Sequence, residues 1–84
     1  MSHPVRIAAL YHFTRFDDPA AIRPDLLALC EAQGVRGTLL LAREGINGTI
    51  AGSADGIDTV LDRVRQLPGC TELEVKFSQA EAMP

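Results

Sequence analysis

The chain has no tryptophan, one tyrosine and three phenylalanines among its 84 residues. A large base-stacking platform of the kind found in single-strand-binding proteins is therefore not expected. It has two cysteines, Cys30 and Cys70, with no CxxC pair and no Cys/His spacing suited to a metal. That pattern argues against a disulfide framework and excludes a metal-transport module, which needs paired cysteines. No metal and no other cofactor is expected. Basic charge is also in short supply. Eight Lys and Arg stand against eleven Asp and Glu, for a net charge of -3, so the broad basic footprint of a nucleic-acid-binding surface is missing overall. No apolar run approaches the roughly 20 residues that span a bilayer. No basic start followed by a long apolar stretch marks a signal peptide. These absences lead to the expectation of a soluble cytoplasmic protein without a membrane partner.

What is present is enough for one folded domain. The hydrophobic fraction is 46% and the charged fraction 23%, which argues against disorder. Val5 to Thr14 alternates Val5, Ile7, Ala9, Tyr11 and Phe13 with Arg6, Ala8, Leu10, His12 and Thr14. This is the pattern of a strand with one face buried and the other partly covered. Asp17-Asp18-Pro19 marks a turn or a helix start. Pro24 suits a first helical position, so a helix is predicted from about Arg23 to Gln33. Leu26, Leu29, Cys30 and Leu27 would face inward, and Gly34 would cap the end. A second strand is predicted over Val35 to Ala42 and a third over Thr49 to Ala51. Ser53 or Asp55 can cap a second helix. Its Ile57, Val60, Leu61 and Val64 recur at i, i+3, i+4 and i+7 and make one apolar stripe. Pro68-Gly69 stops it. Leu73, Val75 and Phe77 alternate with Glu72, Glu74 and Lys76 in a last strand. Cys30 reads as a small core residue, and Cys70, after Pro68-Gly69, as a more exposed one.

The element order is βαββαβ, the split βαβ or ferredoxin-like order. The expected fold is an α+β sandwich with a four-stranded antiparallel sheet, both helices on one face and the other face open.

The stretch from Gly37 to Gly52 carries the candidate site. Asn47-Gly48 is a strong hairpin signal, because both residues tolerate positive φ, and Gly45 makes a longer loop or a bulge equally compatible. The tip then holds Arg43, Glu44, Gly45, Asn47 and Gly48. Arg43, Asn47 and the glycine amides could meet phosphate or sugar, with Glu44 orienting Arg43. The same residues could equally do no more than satisfy turn geometry. His12 and Arg15, near the end of the first strand, are further candidates for contact with RNA or a partner. A half-buried histidine and a solvated arginine account for them equally simply. Asp62 and Arg65 can pair at i, i+3 without any function.

The segment Ala42-Arg43-Glu44-Gly45-Ile46-Asn47-Gly48-Thr49-Ile50-Ala51-Gly52 resembles the N-terminal domain of the rhodanese-related, oxygen-dependent tRNA uridine hydroxylases. Ala9-Leu10-Tyr11-His12-Phe13 fits its first strand, and Val75-Lys76-Phe77-Ser78 its last. The likeness covers nearly the whole chain and is most specific from Glu44 to Gly48. Members of that family are much longer and carry a catalytic cysteine in a rhodanese loop. Neither Cys30 nor Cys70 matches it, so no catalytic residue is assigned here. The resemblance implies a domain from the N-terminal end of a longer protein, here ending at Ala82-Met83-Pro84. Its partners would be tRNA and its own rhodanese domain. It would hold tRNA for hydroxylation of the wobble uridine, or brace the catalytic domain, without catalysing itself. The oligomeric state is left open.

Two rivals share the fold order. A structural or protein-interaction module could use the open sheet face without touching RNA. An acylphosphatase needs a phosphate-cradling loop with an arginine after the first strand and an asparagine on the second. Arg15 approximates the former. Thr14-Arg15-Phe16-Asp17-Asp18 lacks the loop glycines, however, and Leu39-Leu40-Leu41 lacks the asparagine.

Overall fold

The computed structural model describes residues 4–81. Its elements run β1 (Val5–Phe13), α1 (Pro19–Ala32), β2 (Arg36–Ala42), β3 (Gly45–Gly52), α2 (Ala54–Arg65) and β4 (Glu74–Ala80). The strands form one antiparallel sheet in the order β2-β3-β1-β4. This is the predicted ferredoxin-like α+β arrangement.

The core lies between the helices and one face of the sheet. Leu26 of α1 and the α2 stripe Ile57, Val60, Leu61 and Val64 join Ala8, Leu10, Ile46 and Ile50 in one buried cluster. Each α2 side chain of that stripe is at most 1% exposed, and full burial of such a residue stabilises by about 1.5–3 kcal/mol. Among the described residues, no polar or charged side chain is buried. Ser53 caps α2, its hydroxyl accepting from the Gly56 N–H at 3.0 Å.

The first helix starts earlier than predicted. Pro19, not Pro24, opens it, with Asp18 at the cap position, and Pro24 lies inside. The reason is that Pro19 already supplies the preset φ of a first helical turn. Pro24 then costs the one backbone bond that its missing N–H would have given. Leu26 is buried, Leu29 and Cys30 pack partly against the core, and Leu27 points outward at 52% exposure. The other end is as predicted. Gly34 takes φ 67°. Its N–H donates to Glu31, and the Val35 N–H donates to Cys30 at 2.9 Å, which is the Schellman arrangement.

The hairpin differs from the expectation. Asn47-Gly48 is not its tip. Ala42 pairs with Gly45, so Arg43 and Glu44 alone make the turn, and β3 begins at Gly45 rather than Thr49. A turn at Asn47-Gly48 would split the row of Ile46, Gly48 and Ile50, which must all face the helices to bury the two isoleucines. The period-two register outweighs the local turn preference. Gly48 instead sits mid-strand between Leu39 of β2 and Leu10 of β1. At φ 153°, a Cβ there would be driven into the Thr38 carbonyl oxygen.

Gly48→Val is therefore expected to destabilise strongly: about 1–3 kcal/mol from backbone strain alone, with a further loss from the displaced β2 backbone. Urea unfolding should show a lowered midpoint, and an unchanged midpoint would contradict this strand placement. Ser53→Ala is expected to cost about 1 kcal/mol through the lost cap, read from the same unfolding curves.

Candidate nucleic-acid interface

The β2–β3 turn is held against the loop that follows β1. The Thr14 N–H donates to the Glu44 carbonyl at 3.0 Å, and the Phe16 N–H donates to the Arg43 carbonyl at 3.0 Å. Phe16, 3% exposed, anchors the loop in the core. Arg15 lies between these two straps and is exposed, as are Arg43 and Glu44. The fold thus brings Arg15, Arg43 and Glu44 to one corner, on backbone fixed at both ends. Among the described residues neither arginine makes an ion pair; the pairs formed are Arg6–Asp58 at 3.4 Å and Arg65–Asp62 at 4.0 Å. Two unengaged guanidinium groups on a pinned corner are suited to phosphate, which arginine grips with parallel hydrogen bonds.

The remaining candidates separate. Gly45 is buried, facing Phe13 across the ladder. Asn47 is exposed on the sheet face turned away from the helices, between Leu40 of β2 and Tyr11 of β1. Gly48 faces the helices, away from Asn47. His12 also faces the helix side, where its Nε2 hydrogen-bonds the Gly69 carbonyl. As a donor to a carbonyl, that nitrogen carries a proton, and the ring ties β1 to the turn after α2. Next to it the Thr14 hydroxyl reaches the Pro68 carbonyl at 3.5 Å. These bonds give His12 a structural task at a place removed from the open face.

Sequence reasoning passed over the aromatic pair. Tyr11 and Phe13 stand 53% and 71% exposed on the open face, their rings edge-on with centroids 4.8 Å apart. No signal in β1 could have marked them, because its alternation points the other way. The polar Arg6 and His12 share their parity with the buried Ala8 and Leu10, whereas the more apolar set faces out. A shallow notch of about 280 Å³ includes Tyr11, Phe13, Glu44 and Asn47 in its wall, slightly below the roughly 300–1,000 Å³ of sites that enclose a small molecule. It offers a surface to lie on, not a chamber for chemistry. Among the described residues no group of three or more His, Cys, Asp or Glu is placed to hold a metal ion.

Residues 5–84 match the family described as the UPF0176 acylphosphatase like domain. The chain belongs to this family. It is 60% identical over 81 residues to the tRNA uridine(34) hydroxylase of Gluconobacter oxydans, covering 96% of this chain and 26% of that protein. It is 67% identical over 75 residues to the enzyme of that name from Roseobacter denitrificans, covering 89% of this chain and 25% of that protein. The corresponding protein of Caulobacter vibrioides is 63% identical over 79 residues, 94% of this chain and 25% of its own length. The chain thus spans about a quarter of the length of these relatives. Among the described residues no helix is long and apolar enough to cross a membrane.

The cysteines exchange their expected settings. Cys70 is fully buried, because the turn after α2 folds back so that its N–H donates to Leu67 at 3.0 Å. Cys30 is only partly covered. Burial raises both thiols above their ordinary value of 9.0, which opposes nucleophilic use. Because the folded-state value is raised, the folded chain holds these protons more tightly than the unfolded chain. Stability is then full below about pH 9 and declines as the pH rises through the folded-state values. Unfolding curves at increasing alkaline pH should show that decline. Alkylation at neutral pH should label Cys30 faster than Cys70, and equal rates would contradict the burial of Cys70.

Proposed function

We propose that this domain holds tRNA for an enzyme that hydroxylates the wobble uridine at carbon 5 with oxygen. The chemistry would reside in a rhodanese-related domain outside this chain. The observation that carries the reading is the 60–67% identity, over nearly the whole chain, to proteins named tRNA uridine(34) hydroxylase. The pinned corner with Arg15 and Arg43 supports it, because unpaired guanidinium groups on fixed backbone are free to grip phosphate. Asn47 offers a donor and an acceptor on the adjoining sheet face. No cofactor is assigned to this domain. Its place of work would be the cytoplasm, beside tRNA.

A bracing role is the second reading, favoured by the apolar side chains left uncovered on the open sheet face. An acylphosphatase activity has less support. Its loop glycines are missing after β1, and Asn47 lies on β3 instead of β2.

In the enzyme that carries this domain, Arg43→Ala and Asn47→Ala are each expected to leave thermal unfolding near wild type. Each should lower kcat/KM for tRNA hydroxylation, by roughly tenfold for Arg43, since one charge-assisted hydrogen bond contributes about 1.5 kcal/mol or more. Unchanged hydroxylation in both variants would remove the support for recognition and leave bracing.

A further inference from the structure

The open sheet face has a charge balance unlike the rest of the molecule. The chain has eleven acidic residues, yet by strand register only Glu74 occupies a position on this face. Arg36 of β2 and Lys76 of β4 occupy others. An acidic protein thus keeps one face with two cations and a single acid. At one end of that face lie Tyr11, Phe13, Leu40 and Asn47, with Glu74 opposite Tyr11 on β4 and Glu44 in the wall of the same notch. Leu40 is 59% exposed, and the two rings are more than half exposed.

We propose that Tyr11 and Phe13, with Asn47 beside them, form a stacking site for an unpaired nucleotide of an RNA loop. This rests on the tRNA-holding reading above and names the part of the RNA that the sheet would take. Aromatic rings on an open four-stranded sheet stack bases in one widespread mode of RNA recognition. Two rings suffice for one or two bases, so the scarcity of aromatics that argues against a large platform does not argue against this one. The edge-on geometry, with an interplanar angle of 76°, keeps the rings from covering one another face to face. A base can therefore lie against either of them. The Asn47 amide carries both a donor and an acceptor and can read a base edge next to the rings. Arg36 and Lys76 farther along the face, and Arg43 beyond the Phe13 end, bracket the rings with positive charge for the flanking phosphates. A nucleotide at the wobble position lies in the anticodon loop, where bases are unpaired and open to stacking. An apolar protein partner covering this face would have to desolvate Arg36, Lys76 and Glu74. A polyanion is attracted by Arg36 and Lys76, which outnumber the single Glu74.

The test is NMR titration of this chain with an anticodon stem-loop RNA bearing unmodified uridine at position 34, at low and moderate salt. One tyrosine and three phenylalanines make the ring signals simple to assign. The Tyr11 and Phe13 ring resonances are expected to shift on addition of the RNA. Tyr11→Ala and Phe13→Ala should each weaken binding at least fivefold, in line with base–aromatic stacking, while the dependence on salt is preserved. Tyr11→Phe and Phe13→Tyr should bind as wild type, so a loss caused by misfolding is separated from loss of the ring. Ring resonances that stay fixed while the Arg43 and Glu44 amides shift in a salt-sensitive way would overturn the stacking site and leave the tRNA-holding reading intact. A titration in which nothing moves at either salt would overturn both. Ring shifts that track protein concentration without RNA would overturn the proposal in favour of a face between two copies of this chain.

Discussion

Ile46 and Ile50 must both face the helices, and that requirement fixes the direction of every other residue in β3. With strand parity set, Gly48 lies between Leu39 and Leu10, and Asn47 and Thr49 point to the open side. β3 is a central strand, bonded to β2 on one side and β1 on the other, so its register is transmitted to both. The hairpin then has two residues left for its turn. Arg43 and Glu44 take it because Ala42 and Gly45 are already paired. The position of the candidate corner is thus a consequence of core packing several residues away.

The corner gains its rigidity from backbone, not from side chains. Thr14 and Phe16 donate to the carbonyls of Glu44 and Arg43, and Phe16 is sunk in the core. The guanidinium groups of Arg15 and Arg43 are left without ion pairs among the described residues, because the bonds that hold the loop are made by main-chain atoms. Of the other arginines, Arg6 and Arg65 make the ion pairs found among the described residues. Arg6 reaches Asp58 and lies 5.4 Å from the Phe77 ring centre, on the helix side of the sheet. Both ion pairs draw their acid from α2, Asp58 and Asp62, and contribute little to stability.

Much of the fold was legible because helix signals are local. The α2 stripe, its Ser53 cap and the Gly34 stop each depend on residues within one or two turns, and each formed as read. The beginning of α1 was legible less well, since Pro19 and Pro24 both satisfy the rule for a first helical position and only the observed packing separates them. Leu27 was misread for a related reason: a helix with Leu at 26, 27 and 29 has more apolar residues than its narrow contact with the sheet can cover. Cys70 was misread because a turn after proline and glycine looks exposed until the chain is seen folding back over it. The candidate residues are divided by the fold among the turn, the open face and the helix face, a division that was not visible in the sequence.

By itself the sequence determined the order of elements, the α2 core stripe and the glycine stop of α1. These follow from short-range spacing, which needs no knowledge of neighbours. Only the tertiary structure decided which face of β1 is buried, where the hairpin turns, and that Asn47 joins Tyr11 and Phe13 while His12 turns away to Gly69. Both faces of β1 are apolar enough to be core. The choice between them belongs to the helices that cover one face, and no window of sequence contains that contact.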